Sequence, residues 1–310
     1  MADDYHQPVL LEEVMAALEP QTGRVYVDGT IGGGGHAEAL LERSSPAGRL
    51  LGCDLDPAAV SAAAARLGRF AGRFEIRSGN FADLSGWIPA GSGDGVVLDL
   101  GVSSHQLDCA QRGFSFRLDG PLDMRLDPRR GDTAADLVNN WPVTELAQIF
   151  RELGEERRAW RVARAVEWER RRTPFQTTRQ LADLVERVAP RGGQGIHPAT
   201  RVFQALRMAV NDELGSLRRG LDAAWAVLKP GGRLAVISFH SGEDRVVKRF
   251  GQALAREYEV TGDADIPEWR RPRASLLAWV NRGPVAPGAA EVASNPRARS
   301  ARLRVMEKLG

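Results

Sequence analysis

A glycine run set between two periodic patterns constrains this chain most. Arg24 to Asp28 reads as a short β-strand, Gly29-Thr30-Ile31-Gly32-Gly33-Gly34-Gly35 follows without a break, and His36 to Arg43 reads as a helix. Glycine has no Cβ and tolerates positive φ, so such a turn lets a ligand lie against backbone while the helix offers its unpaired N-terminal amides. A second strand, Arg49 to Asp54, ends on an acid about twenty residues past the glycines, where doubly wound folds set a carboxylate against ribose hydroxyls. Asp54 is therefore the ribose candidate. Asp56 precedes Pro57 and is expected to cap the next helix, Ala58 to Leu67.

The alternation continues through Phe74 to Arg77 and Gly95 to Leu100, which predicts an α/β fold with a parallel, doubly wound sheet. Helical periodicity takes over from about 144 to 188, punctuated by Pro142, Pro174 and Pro190 to Gly195, and reads as an all-helical insertion. From Pro198 to Leu228, apolar Val202, Phe203, Leu206, Val210, Leu214 and Leu217 recur at helical spacing, so this run reads as a long helix returning the chain to the sheet. Lys229-Pro230-Gly231-Gly232 ends it, Arg233 to Phe239 resumes the sheet, and Ala301 to Met306 is a final strand. The expected division is 1–131 and 213–310 for the sheet domain, with 132–212 inserted.

A glycine turn and a ribose acid suit a nicotinamide dehydrogenase as well as a methyltransferase using S-adenosylmethionine. Asp28 separates the two: it would repel a pyrophosphate, whereas it can receive the cationic amino group of a methionine moiety, or order the loop. Leu228-Lys229-Pro230-Gly231-Gly232-Arg233-Leu234 before an apolar strand also resembles the turn ahead of the fifth strand in many S-adenosylmethionine enzymes. Methyl transfer is thus favoured. Phe81, after the third strand, can stack on an adenine or serve the core. Asp99 closes the fourth strand at the sheet edge where open α/β folds bind ligands. His240, after the fifth, can touch substrate or cap the turn.

Cys53 and Cys109, the two cysteines, are too few for a disulfide framework, and the scattered histidines lack paired metal-ligand spacing, so no metal is expected. No apolar run reaches the roughly 18 residues of a membrane helix, and Met1-Ala2-Asp3-Asp4 lacks the order of a signal peptide, so a cytoplasmic protein without a membrane partner is expected. The net charge of +2 hides an asymmetry: residues 151–207 carry 13 Arg against 7 acids, +6 for that stretch and −4 for the rest. Such a segment faces a polyanion or is a solvated helical surface.

Further segments complete a pattern: Leu98-Asp99-Leu100-Gly101-Val102-Ser103-Ser104, Arg112-Gly113-Phe114-Ser115-Phe116, Gly120-Pro121-Leu122-Asp123-Met124-Arg125, His197-Pro198-Ala199-Thr200-Arg201, Ile237-Ser238-Phe239-His240-Ser241 and Asn295-Pro296-Arg297-Ala298-Arg299-Ser300, with Tyr5-His6 ahead of Pro8-Val9-Leu10-Leu11. With the glycine loop, these span nearly the whole chain, which resembles the bacterial methyltransferases that modify the N4 amino group of a cytosine in the decoding region of 16S ribosomal RNA. The resemblance implies a Rossmann-like class I sheet, an inserted helical domain that helps recognise RNA, S-adenosyl-L-methionine as cofactor, and 16S ribosomal RNA within the small ribosomal subunit as partner. It implies cofactor contacts at Gly34, Gly35, His36, Asp54, Phe81, Asp99 and Gln106. Gly33 and Gly242 stand where relatives often carry bulkier residues. Many amino-methyltransferases follow the fourth strand with two prolines and an aromatic, and here the segment is Asp99-Leu100-Gly101-Val102, so the N4 assignment rests on the resemblance. The residues by themselves point to methyl transfer to a nucleic acid.

Asp99 is the catalytic candidate, either holding the methionine end of the cofactor or accepting the proton that the attacking amine sheds. The substrate candidates are Arg112, Arg117, Arg125, Arg201, His240, Arg297 and Arg299, cations suited to phosphates. A methyltransferase acting on another RNA, and a catalytically silent RNA-binding module on the same scaffold, stay open.

Overall fold

A computed structural model describes residues 8–190 and 197–310; Tyr5-His6 and the 191–195 part of the punctuation lie outside the described residues. Helix α1 (Leu11–Leu18) precedes β1 (Val25–Asp28), after which α2 (Gly35–Arg43), β2 (Arg49–Asp54), α3 (Pro57–Arg66), β3 (Phe74–Ser78) and β4 (Gly93–Asp99) follow the alternation read from the sequence. The sheet has seven strands in the order β3-β2-β1-β4-β5-β9-β8, where β5 is Leu228–Ser238, β8 Leu277–Trp279 and β9 Arg302–Lys308. The first five in that order run parallel; β9 pairs antiparallel with both β5 and β8.

Helices cover both faces of this sheet, so its central strands are apolar almost throughout rather than alternating. In β4 and β5, Val97, Ala235 and Ile237 pack with Val14, Leu40 and Leu303 on one side, while Val96, Leu98 and Val236 pack with Leu217 and Leu221 on the other. The chain leaves β1 for β2 in one direction and later enters β4 on the opposite flank. The carboxyl ends of β1 and β4 therefore form a topological switch point, the place where open α/β sheets bind ligands.

Two compact units result: Met1–Gly101 with Leu214–Gly310, and Val102–Glu213. The second unit starts at Val102 and not at 132, because Phe114, Leu122 and Met124, from the loop after β4, join the same core as Leu146, Phe150, Val162, Val166, Leu181, Val185, Val202 and Leu206. Its helices are α4 (Ser104–Asp108), α5 (Ala134–Asn140), α6 (Val143–Glu152), α7 (Ala159–Arg170), α8 (Thr178–Val188) and α9 (Thr200–Val210). Capping boxes start α5 at Thr133 with Asp136 and α8 at Thr177 with Gln180.

The long helix expected from Pro198 to Leu228 is in fact two helices, α9 and α10 (Glu213–Val227). Asp212 between them is left-handed at φ 46°. Asn211 fixes the break: its Nδ2 donates to the carbonyls of Met124 and Arg207, and its Oδ1 accepts the Leu126 amide at 2.8 Å. Apolar spacing is uninterrupted across this point, so periodicity alone carries no sign of the stop. Beyond β5, α11 (Ser241–Leu254), the small β6–β7 pair (Tyr258–Val260 with Arg270–Pro272) and α12 (Ala289–Ser294) precede β9.

Candidate active site

The glycine turn closes the carboxyl end of β1. Gly34 sits at φ 82°, a conformation that disfavours any Cβ, and its amide donates to Ile31 O at 2.7 Å while it leads into α2. A Cβ on Gly29 would lie 2.5 Å from Leu98 Cδ2 and 2.9 Å from Phe81 Cβ, and one on Gly35 would meet the Pro8 ring at 3.0 Å. The loop is thus glycine for two reasons, backbone conformation and close packing.

Two carboxylates and one backbone amide hold this loop. Asp28 is buried and its Oδ1 accepts the Thr30 amide at 3.1 Å, while the Thr30 hydroxyl accepts the Asp99 amide at 2.6 Å. Thr30 therefore links the tips of β1 and β4. Asp54 Oδ2 accepts the Gly32 amide at 2.9 Å and Oδ1 accepts the Asp56 amide at 2.8 Å. The Asp56 carboxylate caps α3 through the Ala58 amide, as its place before Pro57 predicts.

Burial raises the Asp28 carboxyl to about 7, with the neighbouring Asp54 adding to the effect against the Thr30 amide. Asp99 is also held well above the usual carboxylate range, by burial first and then by Asp28 and Glu243. Its Oδ1 is enclosed and meets no hydrogen-bond donor among the described residues. His36 is buried, donating from Nε2 to Val9 O at 3.0 Å with Nδ1 3.9 Å from Asp99 Oδ2; burial lowers it to about 4, so the ring is neutral near pH 7. The neutral ring with its proton on Nε2 turns a lone pair toward Asp99 and supplies it no charge. Glu243, buried at the start of α11, accepts the Phe239 amide at 2.8 Å. The raised carboxyls of Asp28 and Asp99, the latter with one oxygen that meets no donor among the described residues, fit a ligand that brings positive charge, as the ammonium and sulfonium of S-adenosylmethionine do.

Phe81 begins a short 3-10 turn after β3 and lies over Gly220 of α10, where a Cβ would fall 2.2 Å from its Cδ2 and Cε2. Gly220 went unread in the sequence, although a glycine inside a helix, costing about 1 kcal/mol relative to alanine, is a signal of close approach. Gly220→Ala is expected to lose stability by roughly 1–3 kcal/mol through overpacking and to weaken nucleoside binding with it. A denaturant midpoint that rises, as helix propensity alone dictates, would refute this contact.

The other expected site residues divide. Gln106 belongs to the helical unit, where it forms a capping box with Ser103 at the start of α4. Arg112 Nη2 donates to the carbonyls of Arg125 and Leu126, Arg125 makes a two-pronged pair with Asp123 at 2.9 and 2.8 Å, and Arg201 Nη1 donates to Glu155 O at 3.0 Å. These three guanidiniums tie their own unit together. Arg117 and Arg299 are exposed and Arg297 half-buried, the last two on a 3-10 turn before β9. His240 takes the turn-capping alternative: its Nδ1 accepts the Glu243 amide at the head of α11.

A sequence model of the MraW methylase family matches residues 3–309. A protein of Symbiobacterium thermophilum named ribosomal RNA small subunit methyltransferase H is 49% identical over 310 residues, covering 98% of this chain and 97% of its own. The protein of the same name from Trichlorobacter lovleyi is 50% identical over 321 residues, with 100% of each chain covered. A solved putative methyltransferase from Streptococcus mutans, in complex with SAH, aligns over 98% of this chain and 99% of its own with TM-score 0.46 and 9% identity.

Proposed function

The chain belongs to the MraW methylase family, and from that premise we propose that it methylates the N4 amino group of a cytosine in the decoding region of 16S ribosomal RNA. It is a ribosomal RNA methyltransferase, and S-adenosylmethionine is its methyl donor. The observation that supports a cationic nucleoside at this crevice is the enclosed Asp99 Oδ1 beside a glycine loop that a Cβ would close.

When bound, the sulfonium supplies an electrophilic methyl group and leaves neutral, so alignment provides much of the acceleration. Asp54, at the tip of β2, receives the ribose hydroxyls, and Phe81, stacked over Gly220, lies against the adenine. Asp28 and Asp99 take the charged methionine end. The first of the two candidate roles for Asp99 is favoured by its unsatisfied oxygen, enclosed near Asp28 and His36. Arg117, Arg297 and Arg299 offer charge to RNA phosphates, whereas Arg112, Arg125 and Arg201 shape the helical unit that carries the recognition surface. A target base in folded RNA must be unstacked before its amino group is reached, which irregular regions allow at low cost.

Small ribosomal subunits from cells lacking this protein, incubated with it and labelled S-adenosylmethionine, are expected to yield label as N4-methylcytidine at one site. Label on another nucleoside overturns the N4 reading and leaves RNA methylation intact. Binding of S-adenosylhomocysteine with no transfer to any RNA favours the silent module.

A further inference from the structure

Helix α7 turns Val162, Ala163 and Val166 into the core of the helical unit and leaves Trp160 and Trp168 on its outer face, 52% and 64% exposed. Residues four apart share one face of a helix, so Trp160, Arg164 and Trp168 form a single stripe, with Arg161 alongside and Arg172 just past the helix end. The Arg172 guanidinium lies 5.8 Å from the Trp168 ring centroid. The acids of α7 are answered elsewhere, Glu167 by Arg171 at 3.3 Å and Glu169 by Arg187 at 3.1 Å. Arg157, Arg161 and Arg164 are exposed and make no hydrogen bond or ion pair among the described residues.

Two large rings held in water are unfavourable for a free surface, and unpaired guanidiniums between them add charge that no neighbour balances. Both features answer the same ligand: base faces stack on indole rings whatever their sequence, and phosphates take the arginines. The rings are about 12 Å apart along the helix axis, enough for several unstacked nucleotides. Residues 151–207, the stretch that contains this helix, carry an excess of +6. We propose that the outer face of α7 is a stacking platform for single-stranded or irregular ribosomal RNA, a reading that rests on the RNA substrate argued above and adds the residues that grip it outside the crevice.

The test compares binding of purified, unmodified 16S ribosomal RNA and of small subunits by wild-type protein, Trp160→Ala/Trp168→Ala, Trp160→Phe/Trp168→Phe and Arg161→Gln/Arg164→Gln. The double alanine variant is expected to bind naked RNA tenfold or more weakly, since stacking on one base is commonly worth that much. The phenylalanine pair retains most of the affinity because a ring remains, and the glutamine pair lowers the salt dependence by a slope of about 1.4. Affinity for S-adenosylhomocysteine stays at the wild-type value in all three. Binding of RNA by the alanine variant within twofold of wild type overturns the platform and leaves the enzyme's function standing. A loss confined to whole subunits, with naked RNA bound normally, overturns it in favour of a protein partner. Wild-type protein that binds no ribosomal RNA overturns both readings together.

Discussion

Asp99→Asn is expected to raise the dissociation constant for S-adenosylhomocysteine about ten- to a hundredfold, the usual worth of a hydrogen bond or ion pair to a charged group. Asparagine keeps the shape and one carbonyl oxygen but cannot balance an ammonium. Titration calorimetry measures the affinity directly, and single-turnover methylation with cofactor at saturation measures the chemical step. If Asp99 instead takes the proton from the attacking amine, affinity stays put and the rate constant falls by about two to four powers of ten. The two roles thus separate in one variant. The neutral His36 strengthens the first expectation, because it offers Asp99 Oδ2 a lone pair at 3.9 Å and no charge.

Asp28→Asn is expected to stabilise the cofactor-free protein at pH 8 while weakening its hold on the cofactor. The carboxyl ionises near 3.8 when unfolded and at about 7 in the folded chain. The folded state therefore holds the proton more tightly, and its stability falls as pH rises between those values, by a ceiling on the order of 4 kcal/mol. Asp99, raised in the same direction, adds to the fall. His36 acts oppositely: lowered from 6.5 to about 4, it makes stability rise with pH over that window. Urea unfolding of the cofactor-free wild-type protein should show the net fall toward pH 8, and Asp28→Asn should fall less steeply, with Asp99 still opposing the rise due to His36. A variant less stable than wild type at pH 8 would mean that Asp28 serves mainly to order the loop through Thr30. Because a cationic ligand favours the ionised form, wild-type affinity for S-adenosylhomocysteine should increase from pH 6 to 8, and the variant's should not.

Features that depend on neighbours along the chain were legible without the fold. Strand β1 running into a glycine loop and α2, Asp54 at the tip of β2, and Asp56 capping α3 are set by side-chain period, φ tolerance and capping within a few residues. Features that join residues far apart in the chain emerged only on folding. Phe81 lies over Gly220, and Asn211 breaks an apolar helical run by reaching Met124 and Leu126; neither is visible to local periodicity. The arginines show the limit most clearly, since a guanidinium suits a phosphate, a carboxylate or a carbonyl alike. Arg112, Arg125 and Arg201 are taken up by carbonyls and Asp123 within their own unit, while Arg161 and Arg164 stay exposed between Trp160 and Trp168. Residue type fixed which partners each could accept, and packing fixed which one was within reach.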